Sequence, residues 1–223
     1  MRWLRFLLLI LVARPLALFM TGADVTGRER LPLKGPAIVA ANHSSHVDTL
    51  LLLAIFPSRA LARVRPAAAA DYFLKDPVIG WFSRHAIGIV PVARLKAGQR
   101  PSGVDEDVLA PARAALAAGD IVVVFPEGTR GDGANDKAGD GMGQLKSGVA
   151  RLAEAFPDAP VIPVWIQGAG RVLPKGETIP VPLNCAVLVG EPLAWSGERP
   201  AFMAKLRAAL LALKEQAPPL RWS

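Results

Sequence analysis

A histidine and an aspartate stand close together in Asn42-His43-Ser44-Ser45-His46-Val47-Asp48, directly after the apolar run PAIVAA. An imidazole whose Nδ1–H is held by a carboxylate is fixed in one tautomer, and its Nε2 is then free to take a proton. Within one continuous helix the two side chains would lie about 140° apart around the axis. The pair therefore forms only if His43 sits in a turn ahead of the helix and Asp48 in its first turn. A second reading competes, because Ser45-x-x-Asp48 also has the spacing of a capping box, in which the carboxylate serves only the helix start.

Two further clusters follow apolar runs in the same way. Gly88-Ile89-Val90-Pro91-Val92-Ala93-Arg94 delivers an arginine at the end of a strand-like segment, where a solvated surface is its ordinary fate. Phe125-Pro126-Glu127-Gly128-Thr129-Arg130 follows IVVVF, the most strand-like run in the chain. A glutamate and an arginine on a glycine turn at the end of a buried strand rarely serve packing. Arginine suits a phosphate, since its planar fork donates two parallel charge-assisted bonds. Glu127 would hold that fork or bond a hydroxyl. Downstream, Lys146 and Gly148 open a helix whose first amides add to anion binding, although a lysine there also fits a solvated face.

The elements that must position these clusters alternate between strand and helix patterns. Segments 36–41, 87–93, 121–125, 161–166 and 184–190 read as strands, and 46–56, 104–119, 145–156 and 199–215 as helices. Such alternation predicts an α/β fold, a single domain with a mostly parallel central sheet flanked by helices. Pro91 places its strand at an edge or a strand end. Open parallel sheets bind ligands beyond the carboxyl ends of their strands, where all three clusters fall. The Gly/Asp-rich segment 131–143 has neither P-loop nor calcium-loop spacing and reads as a mobile loop.

Residues 1–24 form a separate attachment segment ahead of a domain over 25–223. The run FLLLILVA, 6–13, is about 12 Å long as helix, against a hydrocarbon core of about 30 Å, and Pro15 interrupts the apolar pattern beyond it. With Arg2, Arg5 and Arg14 beside it, the segment is expected to be an apolar helix lying in or re-entering the bilayer surface. A cleavable signal peptide is the rival reading, but Arg14 and Pro15 stand where small residues would mark the cleavage site. A hydrophobic fraction of 52% and a mean hydropathy of +0.31 agree with work at a membrane surface. A net charge of +7 favours anionic partners. Nucleic acid is disfavoured, because the basic residues are scattered and no aromatic platform accompanies them. The single cysteine, Cys185, excludes an intrachain disulfide, points to a reducing compartment and reads as a buried strand residue. His43, His46 and Asp48 crowd together, but their spacing is not that of a usual metal site, and no metal is expected.

Together the clusters resemble the 1-acylglycerol-3-phosphate acyltransferase (lysophosphatidate acyltransferase) family of glycerolipid acyltransferases. NHSSHVD fits its His–Asp block, GIVPVAR its Gly…Arg block, FPEGTR its third block and VIPV (161–164) its Val-Pro block, in that order. LKSGVARLA (145–153) is similar to its Lys-x-Gly helix, so that the resemblance covers roughly 25–190. Pro91 where the family often has Phe, Gly131 where Ser is common and a longer loop before Lys146 depart from the pattern and bear on acceptor choice. The resemblance implies His43 and Asp48 as catalytic residues, and Arg94, Glu127, Gly128, Thr129, Arg130 and Lys146 as substrate-binding residues. It implies no cofactor: acyl-CoA or acyl carrier protein would be the donor substrate and a lysophospholipid, most simply 1-acylglycerol-3-phosphate, the acceptor. It also implies membrane localisation at the cytoplasmic face, at the inner membrane if the source is bacterial. The alternatives are another lysolipid or glycerol-3-phosphate as acceptor, or a non-catalytic lipid-binding module.

Overall fold

The computed structural model describes residues 2–69, 87–92, 108–128, 141–174, 177 and 179–219. Among these a seven-stranded sheet is ordered β1-β7-β6-β2-β5-β3-β4. The strands are β1 (Asp24–Thr26), β2 (Ala37–Ala41), β3 (Val64–Ala69), β4 (Val90–Val92), β5 (Ile121–Val124), β6 (Val161–Gln167) and β7 (Ala186–Val189). β2, β3, β4, β5 and β6 run parallel, while β7 pairs antiparallel with β6 and carries β1 parallel to itself. The mostly parallel α/β architecture expected from the alternation is thus present, with β4 at the edge that Pro91 indicated. Strands β1 and β3 carry no strong pattern in the sequence and are additions to the expected set.

The sheet is covered on both faces, which is why its inner strands are continuous apolar runs. Alternate residues go to opposite layers. Ala37, Val39 and Ala41 of β2 face one core with Ile121, Val123, Ile162 and Val164. Ile38 and Ala40 face the other with Val122, Val161 and Trp165. The first layer is closed by α3 (Val47–Ile55), a leucine-rich helix that ends at Phe56, whose extended backbone satisfies the proline after it. The second is closed by α5 (Ala110–Ala117), α6 (Gly148–Ala155) and α8 (Arg199–Gln216). In α8, Phe202, Leu206, Leu210 and Leu213 recur at helical spacing and are all buried. Two short helices, α4 (Ser58–Leu61) and α7 (Ala169–Val172), complete the first layer.

The N-terminal segment differs from expectation at Pro15. Instead of breaking there, the helix runs on from α1 (Arg2–Leu8) through a π-helical turn (Leu9–Ala13) into α2 (Arg14–Thr21). Proline has no N–H to donate; just ahead of it the ladder widens, and the Arg14 amide reaches back to the Leu9 carbonyl. One side of this run faces the domain, with Arg5, Leu9, Ala17 and Thr21 buried, while Leu11, Val12 and Phe19 are exposed at 67%, 56% and 79%. No helix among the described residues is long and apolar enough to cross a membrane. Arg5 fastens the run to the sheet. Its Nη1 donates to the Ala62 carbonyl at 3.0 Å, and its Nη2 to those of Val64 at 2.6 Å and Ile87 at 3.0 Å. Gly88 answers to that contact, since a Cβ there, on a φ of +74°, would lie 2.5 Å from the guanidinium carbon.

Phe202 anchors α8 with no exposed surface. Phe202→Ala is expected to lower stability by about 3–5 kcal/mol. In urea unfolding this would be read as a shifted midpoint with an unchanged slope.

Candidate active site

The site is built at the carboxyl end of β2, where the strand passes into the turn 42–46 before α3. Asn42, buried, extends the sheet by one side-chain rung: its Oδ1 accepts the Ile166 N–H at 2.6 Å and its Nδ2 donates to the Ile166 carbonyl at 2.9 Å. The next residues wrap around one carboxylate. Asp48 Oδ2 lies 3.0 Å from His43 Nδ1 and accepts the amides of Ser44 at 2.6 Å and Ser45 at 2.8 Å. The Ser44 hydroxyl reaches Oδ1 at 3.4 Å. A buried charge is tolerated only with such compensation, and the first turn of α3 adds its positive dipole end.

Asp48 meets His43 and also takes up half of the capping-box pattern, since the Ser45 hydroxyl donates to the Leu173 carbonyl, accepts the Val47 amide and does not return the bond. Its carboxylate accepts the Ser45 amide while its own N–H donates to the Ser45 carbonyl at 3.2 Å, which ties the helix start. The same oxygen holds the imidazole. Because an ionised carboxylate only accepts, Nδ1 carries the proton and Nε2 keeps its lone pair. The His43 side chain is 17% exposed and that of Asp48 0%, so the imidazole is within reach of a ligand and its carboxylate partner is sealed. Phe125 stacks on the ring, centroids 4.2 Å apart and planes at 24°. That contact has no explicit sign in the sequence beyond an aromatic residue heading the third block.

Glu127, also buried, has a task the sequence does not suggest. Its Oε1 accepts the His43 amide at 3.0 Å and its Oε2 the Gly143 amide at 3.1 Å, joining the ends of β2 and β5 to the segment before α6. The amides of His43, Ser44 and Ser45 are therefore all engaged by carboxylates. Lys146 is exposed, yet it lies against the same turn: its amide donates to the Pro126 carbonyl at 2.8 Å. A Cβ on Gly128, at a φ of +68°, would stand 2.6 Å from Lys146 Nζ. So the structure brings His43, Asp48, Glu127, Gly128 and Lys146 together. Arg94, Thr129 and Arg130 lie outside the described residues, as do 131–140 of the Gly/Asp-rich loop; its end, 141–143, is tied down.

Cys185 is buried, as read from the sequence, but stands just ahead of β7 and not within a strand. Its thiol is pushed up to about 12, first by burial and then by the negative charge of Asp48. It holds no thiolate at neutral pH and is no nucleophile.

Residues 22–167 match the family model described as Acyltransferase. A chloroplastic 1-acyl-sn-glycerol-3-phosphate acyltransferase of Brassica napus is 30% identical over 156 residues, 69% of this chain and 40% of that protein. An uncharacterised protein of Mycobacterium tuberculosis is 29% identical over 170 residues, 73% of this chain and 43% of its own. The chain thus spans about two-fifths of the length of these curated relatives. The solved structure of the 1-acyl-sn-glycerophosphate (LPA) acyltransferase PlsC of Thermotoga maritima shares the fold. Its TM-score is 0.72 at 22% identity, over 100% of this chain and 82% of that one.

The raised thiol has a consequence for stability. The unfolded thiol ionises from its ordinary value of 9.0, whereas the folded one stays neutral until about 12. Its contribution is whole below pH 9.0 and is lost as pH rises towards 12. Melting temperatures across that window should fall less steeply in Cys185→Ala than in the wild type.

Proposed function

The chain belongs to the acyltransferase family, and from that premise we propose that it moves a fatty acyl group from a thioester, acyl-CoA or acyl carrier protein, to the free hydroxyl of a lysophospholipid. 1-Acylglycerol-3-phosphate is the proposed acceptor and phosphatidic acid the product. The observation that carries the reading is the 3.0 Å approach of His43 Nδ1 to the sealed Asp48 carboxylate at the end of β2.

A thioester is already activated, so the substrate hydroxyl itself is the nucleophile and no acyl-enzyme is required. His43 Nε2 takes the hydroxyl proton as the oxygen bonds to the thioester carbon. Asp48 holds the ring and stabilises the imidazolium. Collapse of the tetrahedral intermediate breaks the C–S bond, and the departing sulfur takes the proton back from Nε2. The lysolipid phosphate is assigned to Arg94, Thr129, Arg130 and Lys146, with the backbone at Gly128. The place of Lys146 across Gly128, beside the turn that leads to Arg130, supports that assignment. Glu127 contributes by holding the turn under His43. The amides of His43, Ser44 and Ser45 already serve carboxylates, so the developing oxyanion draws on other donors.

We further assign residues 1–24 to attachment at the cytoplasmic face of a membrane. The outward side of the N-terminal run is apolar, and its inward side is fixed to the domain through Arg5. That arrangement suits a helix lying in the interface, with the acceptor's chain in the bilayer and its headgroup over the site.

Purified protein given a labelled acyl thioester should acylate 1-acylglycerol-3-phosphate and turn over a phosphate-free monoacylglycerol poorly; equal use of the two would refute the phosphate assignment. His43→Ala should lower kcat by ~10²–10⁴ with little change in KM, and an unchanged kcat would remove the base. Leu11→Asp with Phe19→Asp should move the protein from vesicle-bound to free in flotation; continued binding would refute attachment through this face.

A further inference from the structure

We propose that Arg207, on the C-terminal helix α8, is a positioning residue for His43, acting through the 142–143 peptide and Glu127. This rests on the reading of His43 as the base. Arg207 belongs to none of the motif segments. Its Nη2 donates to the Met142 carbonyl at 3.2 Å and its Nη1 to the Gly143 carbonyl at 3.1 Å, so the fork grips two successive carbonyls.

The Met142 carbonyl and the Gly143 amide belong to one planar trans peptide and point in opposite directions. Holding that oxygen towards α8 therefore aims the Gly143 N–H the other way, and there it meets Glu127 Oε2 at 3.1 Å. The other oxygen of the same rigid carboxylate accepts the His43 amide at 3.0 Å. The relay runs from helix to peptide to carboxylate to catalytic turn, each link a hydrogen bond.

Each end of the relay is fixed. α8 is docked by Phe202, Leu206 and Leu210 on either side of Arg207, and Met142 is buried in the same core layer. Glycine at 143 leaves room for the link, because a Cβ there would come within 2.8 Å of Glu127 Oε2 and push that oxygen aside. Once the fork is lost, the Met142–Gly143 peptide is held less firmly, the second amide of Glu127 orients that carboxylate less well, and the constraint that sets the His43 backbone over Asp48 is weakened. Displacements of about 1 Å cost up to about 100-fold in rate when the reacting groups are otherwise intact.

The test compares Arg207→Ala, Arg207→Lys and the exposed control Lys205→Ala in the full-length protein. Arg207→Ala should lower kcat roughly 10-fold and leave KM for both substrates unchanged. Arg207→Lys, which keeps one charged donor, should recover part of the loss, and Lys205→Ala should match the wild type. Hydrogen exchange at the His43 and Gly143 amides, followed by mass spectrometry, should quicken in Arg207→Ala at an unchanged melting temperature. In a Glu127→Gln background, Arg207→Ala should add little. Unchanged exchange at both amides would overturn the relay, as would effects of the two substitutions that simply multiply. So would a loss of kcat that only tracks a loss of folded protein. If Arg207→Ala does not fold, the lysine variant carries the same measurements. If the wild type transfers no acyl group at all, the proposed function falls, while the exchange experiment still decides whether Arg207 holds the turn.

Discussion

One buried carboxylate organises this site. Asp48 is sealed from solvent, and an isolated ionised carboxylate there would be prohibitively costly. The local chain meets that cost by folding around it: two successive amides, a serine hydroxyl and the imidazole of His43 all turn inwards. The approach of His43 Nδ1 to the carboxylate is therefore a by-product of satisfying the charge. An imidazole placed in this way would, as the proposed base, lose little freedom when substrate arrives, which is the basis of preorganisation.

The sheet makes that turn possible. Residues leaving the parallel strands at one end are forced together by the 4.7–4.9 Å spacing typical of neighbouring strands. β2 stands between β5 and β6, so its exit is flanked by both. Asn42 bonds to β6 on one side, and Glu127 beyond β5 bonds to the His43 amide on the other. Phe125 closes the space between by stacking on the imidazole. A single distant segment, 125–127, thus constrains the histidine through its backbone and its ring face, while Asp48, in the adjoining helix, holds its Nδ1.

The positive charge of the chain has a use that net charge alone conceals. Arg5 grips carbonyls beside β3 and before β4, Arg28 bonds to the Ile55 carbonyl at the end of α3, Arg30 to that of Val189, and Arg207 to those before α6. Each closes a join between elements by satisfying carbonyl oxygens that regular structure leaves over. These arginines act as fasteners between elements while keeping their charge, and only Arg5 among them is buried. The N-terminal run is the clearest case: its apolar side faces outwards while a buried arginine holds it to the domain.

Much of this is legible in the residues themselves. Strand and helix periodicity determined the α/β class, because a sheet buried on both faces demands unbroken apolar runs, and the flanking helices demand their own spacing. The separation of His43 from Asp48 determined that a turn must precede the helix, since helical phase forbids the contact otherwise. What the sequence could not decide were contacts whose partners are distant along the chain and chemically ordinary. Glu127 reads as a ligand for an arginine or a hydroxyl, and only the tertiary structure turned both its oxygens to backbone amides. Arg207 and Gly143 carry no sign at all. Backbone amides and carbonyls are present at every residue and leave no mark in composition or spacing; which of them a side chain reaches is decided by how the layers pack.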